Sequence, residues 1–80
     1  MKTFCVSYDL VKGNSTDQND IREIFKNLKG SEYLLASVWK FTLSDKWTCE
    51  SVLRSLLKHL KDYNIKIYAA ETIDDASHKI

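Results

Sequence analysis

Asp9 is the first residue in this chain whose type and position could serve chemistry: a carboxylate closing the alternating segment Ser7-Tyr8-Asp9-Leu10. A carboxylate there is a hard oxygen donor of the kind divalent cations take. It equally suits a strand-ending or loop-capping role. Ser37 and the polar run Asn14, Ser15, Thr16 and Asp17 are the other groups that could join it. Cys5 and Cys49 lie far apart with no Cys-x-x-Cys, which excludes a thiolate metal site and a thioredoxin-type redox motif. His59 falls among helix residues and His78 in the tail, so no i, i+4 ligand pair forms. No Ser–His or Cys–His nucleophile can be assembled. Cys5 reads as a small packing residue or an interface thiol.

The elements that must position these groups follow from periodicity. Residues 3–10 alternate, with Phe4, Val6, Tyr8 and Leu10 on one face and Cys5, Ser7 and Asp9 on the other, which predicts a strand buried on one side. Residues 12–19 read as a polar loop in which Ser15, Thr16 or Asp17 caps a helix. From Asp20 to Lys29, Ile21, Ile24, Phe25 and Leu28 form one helical stripe, with Gly30 as its stop. Residues 32–43 read as two strands meeting near Ala36 and Ser37, with one bent strand as the alternative. Val52, Leu53, Leu56, Leu57 and Leu60 predict a second helix behind Thr48, and Ile65 to Thr72 a last strand. Residues 74–80 are polar and expected to fray.

At 80 residues the chain is expected to be one domain with a thin core. With 44% hydrophobic and 29% charged residues it has material for a core and for solubility, without metals or disulfides. No run of apolar residues is long enough to span a membrane. The N-terminal run, cut by Asp9 and Lys12, reads as a strand rather than a signal peptide, and a reduced, cytoplasmic setting is expected. Twelve Lys and Arg against eleven Asp and Glu leave a net charge of +1, so any basic patch must be local.

The order β-α-β-β-α-β predicts a ferredoxin-like α+β fold: a four-stranded antiparallel sheet in the order 4-1-3-2 with both helices on one face. In that topology the end of the first strand lies beside the starts of the third and fourth. One rim then collects Asp9, Asn14, Ser15, Thr16, Asp17 and Ser37, the candidate site.

With the elements placed, Ser7-Tyr8-Asp9-Leu10 resembles the opening strand of the CRISPR-associated Cas-two superfamily, small ferredoxin-like proteins related to VapD and SinR-like proteins. There an Asp closes the first strand and a Ser before hydrophobic residues opens the third, as Asp9 and Ser37-Val38-Trp39 do here. Ser7 to Lys12 followed by a polar loop is the closer match to the SinR-like branch. The resemblance implies a homodimer through open sheet faces, in a defence or mobile-element setting. For some members it implies nuclease activity, with one Mg²⁺ shared by Asp9 of the two subunits and Ser37 beside the phosphate. The short segment after Thr72 departs from the pattern, since it holds no clear extra strand for a partner's sheet.

Two functions follow. In one, the chain is a dimeric binding or interaction protein, with Arg22, Lys26, Lys40, Arg54 and Lys58 available to the phosphates of RNA or DNA. In the other, it is a Mg²⁺-dependent nuclease in which two-fold symmetry supplies the second carboxylate. The visible acidic ligand is one per chain, which favours binding. The helical cations also fit an ordinary solvated face. A third use, inhibition of a host protein by a phage- or plasmid-encoded copy, needs only a shaped surface. An RNA-recognition motif would need aromatics on the open face of the central strands, where Cys5 and Ser7 stand instead. A small-metabolite regulatory domain shares the architecture, but Gly13 alone echoes its glycine-bearing loop.

Overall fold

A computed structural model describes residues 1–35 and 37–72; the tail 74–80, expected to fray, lies outside the described residues. The elements run β1 (Lys2–Lys12), α1 (Ser15–Lys26), β2 (Ser31–Leu35), β3 (Val38–Leu43), α2 (Cys49–His59) and β4 (Asn64–Thr72). They form an α+β fold with one antiparallel sheet ordered β2-β3-β1-β4, the predicted order read from its other edge. β1 pairs with β3 from Lys2↔Leu43 to Ser7↔Val38, and with β4 from Thr3↔Thr72 to Lys12↔Asn64. The strands over 32–43 separate where expected, between Leu35 and Val38.

The first helix departs from its predicted limits at both ends. It starts at Ser15 rather than Asp20, and its cap is Asn14 rather than Ser15, Thr16 or Asp17. The Asn14 side chain accepts from the Asp17 N–H at 3.1 Å, and Asp17 Oδ2 accepts from the Asn14 N–H at 3.1 Å. This reciprocal box satisfies two donors that a helix start otherwise leaves unpaired. Most of the expected loop 12–19 is therefore helix. The helix stops at Lys26, with Asn27 as C-cap, short of Lys29. Gly30 instead takes a left-handed φ of 82° in the turn into β2. α2 is boxed in the same way, the Thr48 hydroxyl accepting from the Ser51 N–H at 3.1 Å and Ser51 Oγ from the Thr48 N–H at 2.8 Å.

One core joins the two helices to one side of the sheet: Phe4, Val6, Tyr8, Trp39 and Phe41 from the strands, Ile21 and Phe25 from α1, and Val52, Leu56 and Leu60 on and just after α2. Phe25 is the hub. Its ring stacks on Tyr8 at 5.1 Å and Trp39 at 5.5 Å and tilts against Phe41 at 5.9 Å. Trp39 and Phe41 thus face the helices, as their alternation with Val38 and Lys40 predicts. Leu57 does not join the stripe assigned to it; it is 50% exposed, because only Val52 and Leu56 of α2 point squarely at the sheet. No helix among the described residues is long and apolar enough to cross a membrane.

Candidate functional site

Among the described residues the sheet side opposite the core carries no helix, and its registers arrange the side chains there in rows. One row crosses all four strands: Leu35 opposite Val38, Val38 opposite Ser7, and Ser7 opposite Tyr68. The next holds Glu32, Lys40, Cys5 and Ala70. Tyr68 and Leu35, at the two ends of the first row, are 67% and 61% exposed. Asp9 pairs with Lys66 one row beyond, on the same side, in a shallow hollow with Ser7 and Tyr68. Motif and composition do not single out Tyr68 and Lys66; their period-two phase with Cys5, Ser7 and Asp9 is the signal that marks them.

The predicted rim is brought to one end of the sheet but divided by it. Asp9 faces the open side, whereas Asn14 and Asp17 belong to α1 on the core side and are occupied in its cap. Ser37 lies at the turn before β3, its carbonyl accepting from the Tyr8 N–H at 3.1 Å. The Asp9 carboxylate makes no hydrogen bond or ion pair among the described residues, and no group of three or more His, Cys, Asp or Glu there could hold a metal. One carboxylate with one nearby hydroxyl is half of a Mg²⁺ site at most; its completion requires another chain.

The five candidate cations do not form one surface. Lys40 lies on the open face, its ammonium 3.5 Å from Glu32. Arg22, Lys26, Arg54 and Lys58 are exposed on the helical layer, and Arg54 is held by Glu50 at 2.7 Å. At the end of the molecule away from Asp9, a largely apolar cleft of about 420 Å³ opens between β3 and α2, with Leu28, Leu43 and Trp47 among its walls. The Met1 amine closes on Asp45 at 3.0 Å beside it.

Tyr63 ties the second helix's exit to the first helix. Its hydroxyl donates to Asp20 Oδ2 at 3.5 Å. Desolvation of the phenol, then the Asp20 charge and that hydrogen bond, raise its pKa above the ordinary 10.0. The folded state therefore keeps a proton that the unfolded chain releases, so this contribution is complete below pH 10 and is lost as pH rises through the folded value. Titrating the phenolate absorbance should place Tyr63 above a free tyrosine, and Asp20→Asn should lower its midpoint without restoring the free value, since desolvation remains. An unchanged midpoint in Asp20→Asn would remove Asp20 from the account.

Comparison with family models, with curated proteins and with solved structures finds no match for this chain, so its function is argued from its own geometry.

Proposed function

We propose that this is a small ferredoxin-like, Cas-two-like binding protein that works as a homodimer through its open sheet face, in a nucleic-acid-related setting. The observation that carries the reading is the row Leu35–Val38–Ser7–Tyr68, apolar or small across the width of the sheet and exposed at both ends. A two-layer domain whose described residues leave one sheet face uncovered gains most by burying that face, and a two-fold pairing lets the same row meet itself. Lys40 and Glu32 in the adjacent row balance in charge, so they set the register of a pairing without repelling it.

A second reading rests on Asp9. Its carboxylate stands on the same face with no partner among the described residues, so a face-to-face pair whose two-fold axis runs along β1 would bring two Asp9 side chains together, and Mg²⁺ would relieve their repulsion. In that arrangement the two Asp9 carboxylates would hold the ion, which would supply Lewis acidity towards a phosphodiester, and Ser37 at the neighbouring turn would donate a hydrogen bond to the phosphate.

Light scattering on the eluting protein tests both readings. A dimer is expected, with Tyr68→Lys shifting it to monomer at the same concentration because a charge replaces apolar area within the contact. Mg²⁺ should tighten the dimer of the wild type and not of Asp9→Asn if the second reading holds. A monomer at high concentration, with and without Mg²⁺, refutes the pairing.

A further inference from the structure

The helical side of the molecule carries a feature that pairing through the sheet leaves unused. Between α1 and the edge strand β2 lies a hollow of about 410 Å³, lined by Arg22, Glu23, Lys26, Ser31, Tyr33 and Trp39. Small-ligand sites have volumes of roughly 300–1,000 Å³. Three kinds of group converge on it. Arg22 and Lys26, one helical turn apart, are exposed and form no ion pair or hydrogen bond among the described residues, unlike Arg54 on α2. Tyr33 is 49% exposed, its ring edge-on to Trp39 with centroids 5.3 Å apart. Trp39 itself is 4% exposed, and among the described residues its Nε1 is the one buried side-chain nitrogen or oxygen with no hydrogen-bond partner. That nitrogen is closed to solvent and takes no ligand itself, but the Trp39 ring reports on the hollow through its edge contact with Tyr33.

We propose that this hollow holds one nucleotide of a single-stranded nucleic acid. The base lies on the exposed part of Tyr33, and a phosphate meets Arg22 and Lys26. An aromatic face flanked by cations is the arrangement by which single strands are held, stacking supplying affinity and cations tracking the backbone. The charges favour a strand over a free nucleotide. Two cations less the Glu23 carboxylate leave a side-chain charge of +1 around the hollow, which matches the single negative charge of a phosphodiester rather than the nearly doubled charge of a terminal phosphate. Glu23 is then left to accept from an exocyclic amine or a ribose hydroxyl. The inference rests on the nucleic-acid part of the proposed function but not on dimerisation, since this hollow and the open face lie on opposite sides of the sheet.

The test follows the indole N–H resonance of Trp39, assigned by its disappearance in Trp39→Phe, while the protein is titrated with a short single-stranded oligonucleotide, a nucleoside monophosphate, or inorganic phosphate. The oligonucleotide is expected to move this resonance saturably, the monophosphate more weakly, and phosphate alone not at all. Arg22→Gln with Lys26→Gln should weaken the oligonucleotide about tenfold or more, and Tyr33→Leu about tenfold. With one phosphate neutralised, affinity should fall about two- to threefold between 50 and 200 mM salt. A Trp39 signal unmoved by the oligonucleotide overturns the site; one moved equally by phosphate alone reduces it to general anion binding. Binding undiminished in the doubly substituted protein places the strand elsewhere. A monomer that passes this titration fails the pairing reading alone, and a dimer whose Trp39 stays silent fails the nucleotide site alone.

Discussion

Phe25→Ala is expected to cost about 3–5 kcal/mol, the range for truncating a buried phenylalanine. A domain of this length has a total stability of roughly 4–12 kcal/mol, so the loss can consume most of it. Phe25 is fully buried, and its ring contacts Tyr8, Trp39 and Phe41 at once, so its removal opens a void between α1 and both central strands. None of those neighbours can fill the space without leaving its own rotamer, because Tyr8 is fixed from below by its pairing with Ile67 of β4 and Phe41 by its pairing with Phe4 of β1. In a domain this small, a loss of 3 kcal/mol or more lowers the melting temperature by at least ~12 °C. Urea unfolding of the variant should show it, with the aromatic circular dichroism weakened before the helical signal. Leu57→Ala on α2 serves as the control and should change stability by less than about 1 kcal/mol, since that side chain is half in solvent. A Phe25→Ala loss no larger than that of Leu57→Ala would mean that the aromatic cluster does not organise the core.

The amino-acid pattern alone makes that core legible. Period-two phasing separates Phe4, Val6 and Tyr8 from Cys5, Ser7 and Asp9, and each buried member of the first set meets a helix. The helix limits are less legible, for a specific reason. An apolar stripe marks only the turns that touch the core, and the first turn of α1, from Ser15, is polar because it stays in solvent, Ser15 and Thr16 being exposed and the buried residues starting at Ile21. Its start is written in Asn14 and Asp17, a capping box with Asp at the third position where Glu or Gln is the familiar sign. At the other end Leu28 continues the stripe after the helix has stopped, since Leu28 N–H already bonds to the Phe25 carbonyl three residues back, a tightened turn that keeps the side chain over the core.

The candidate site is legible in composition and not in arrangement. That Asp9 and Ser37 fall at one end of the sheet follows from topology. That Asp9 and α1's cap lie on opposite sides of it follows only from knowing which face the helices cover. The row Leu35–Val38–Ser7–Tyr68 depends on a register shift between Tyr33 and Leu35. Tyr33 pairs with Trp39 on the core side, and strict alternation would send Leu35 to that side too, whereas the irregularity sets it opposite Val38. Tyr33, at the mouth of the α1–β2 hollow, is placed by the regular register that precedes the irregularity. The open-face row therefore hangs on one departure from period two, which no local pattern in Tyr33-Leu34-Leu35 announces.

Gly30→Ala is expected to destabilise the fold by about 2–4 kcal/mol, against the usual sign for such a change. Where alanine fits, replacing glycine stabilises by about 0.4–1 kcal/mol, because the unfolded chain loses freedom. Gly30 cannot accept it. Its φ is 82°, a region where a side chain costs about 1–3 kcal/mol. An added Cβ would lie 2.6 Å from the Thr42 carbonyl oxygen, which is backbone in a paired strand and cannot swing aside. The same two residues are joined in the other direction, Thr42 N–H donating to the Gly30 carbonyl at 3.0 Å, so any retreat from the clash stretches a hydrogen bond with a net contribution of about 0.5–1.5 kcal/mol. This close approach fixes where the chain leaving α1 enters β2, and hence how β2 lies along β3. Urea unfolding should register the loss, and amide exchange at Thr42 should accelerate in the variant more than at Lys40, whose pairing with Cys5 lies further from the turn. A variant as stable as the wild type, with Thr42 equally protected, would mean that the turn reaches β2 without the left-handed glycine.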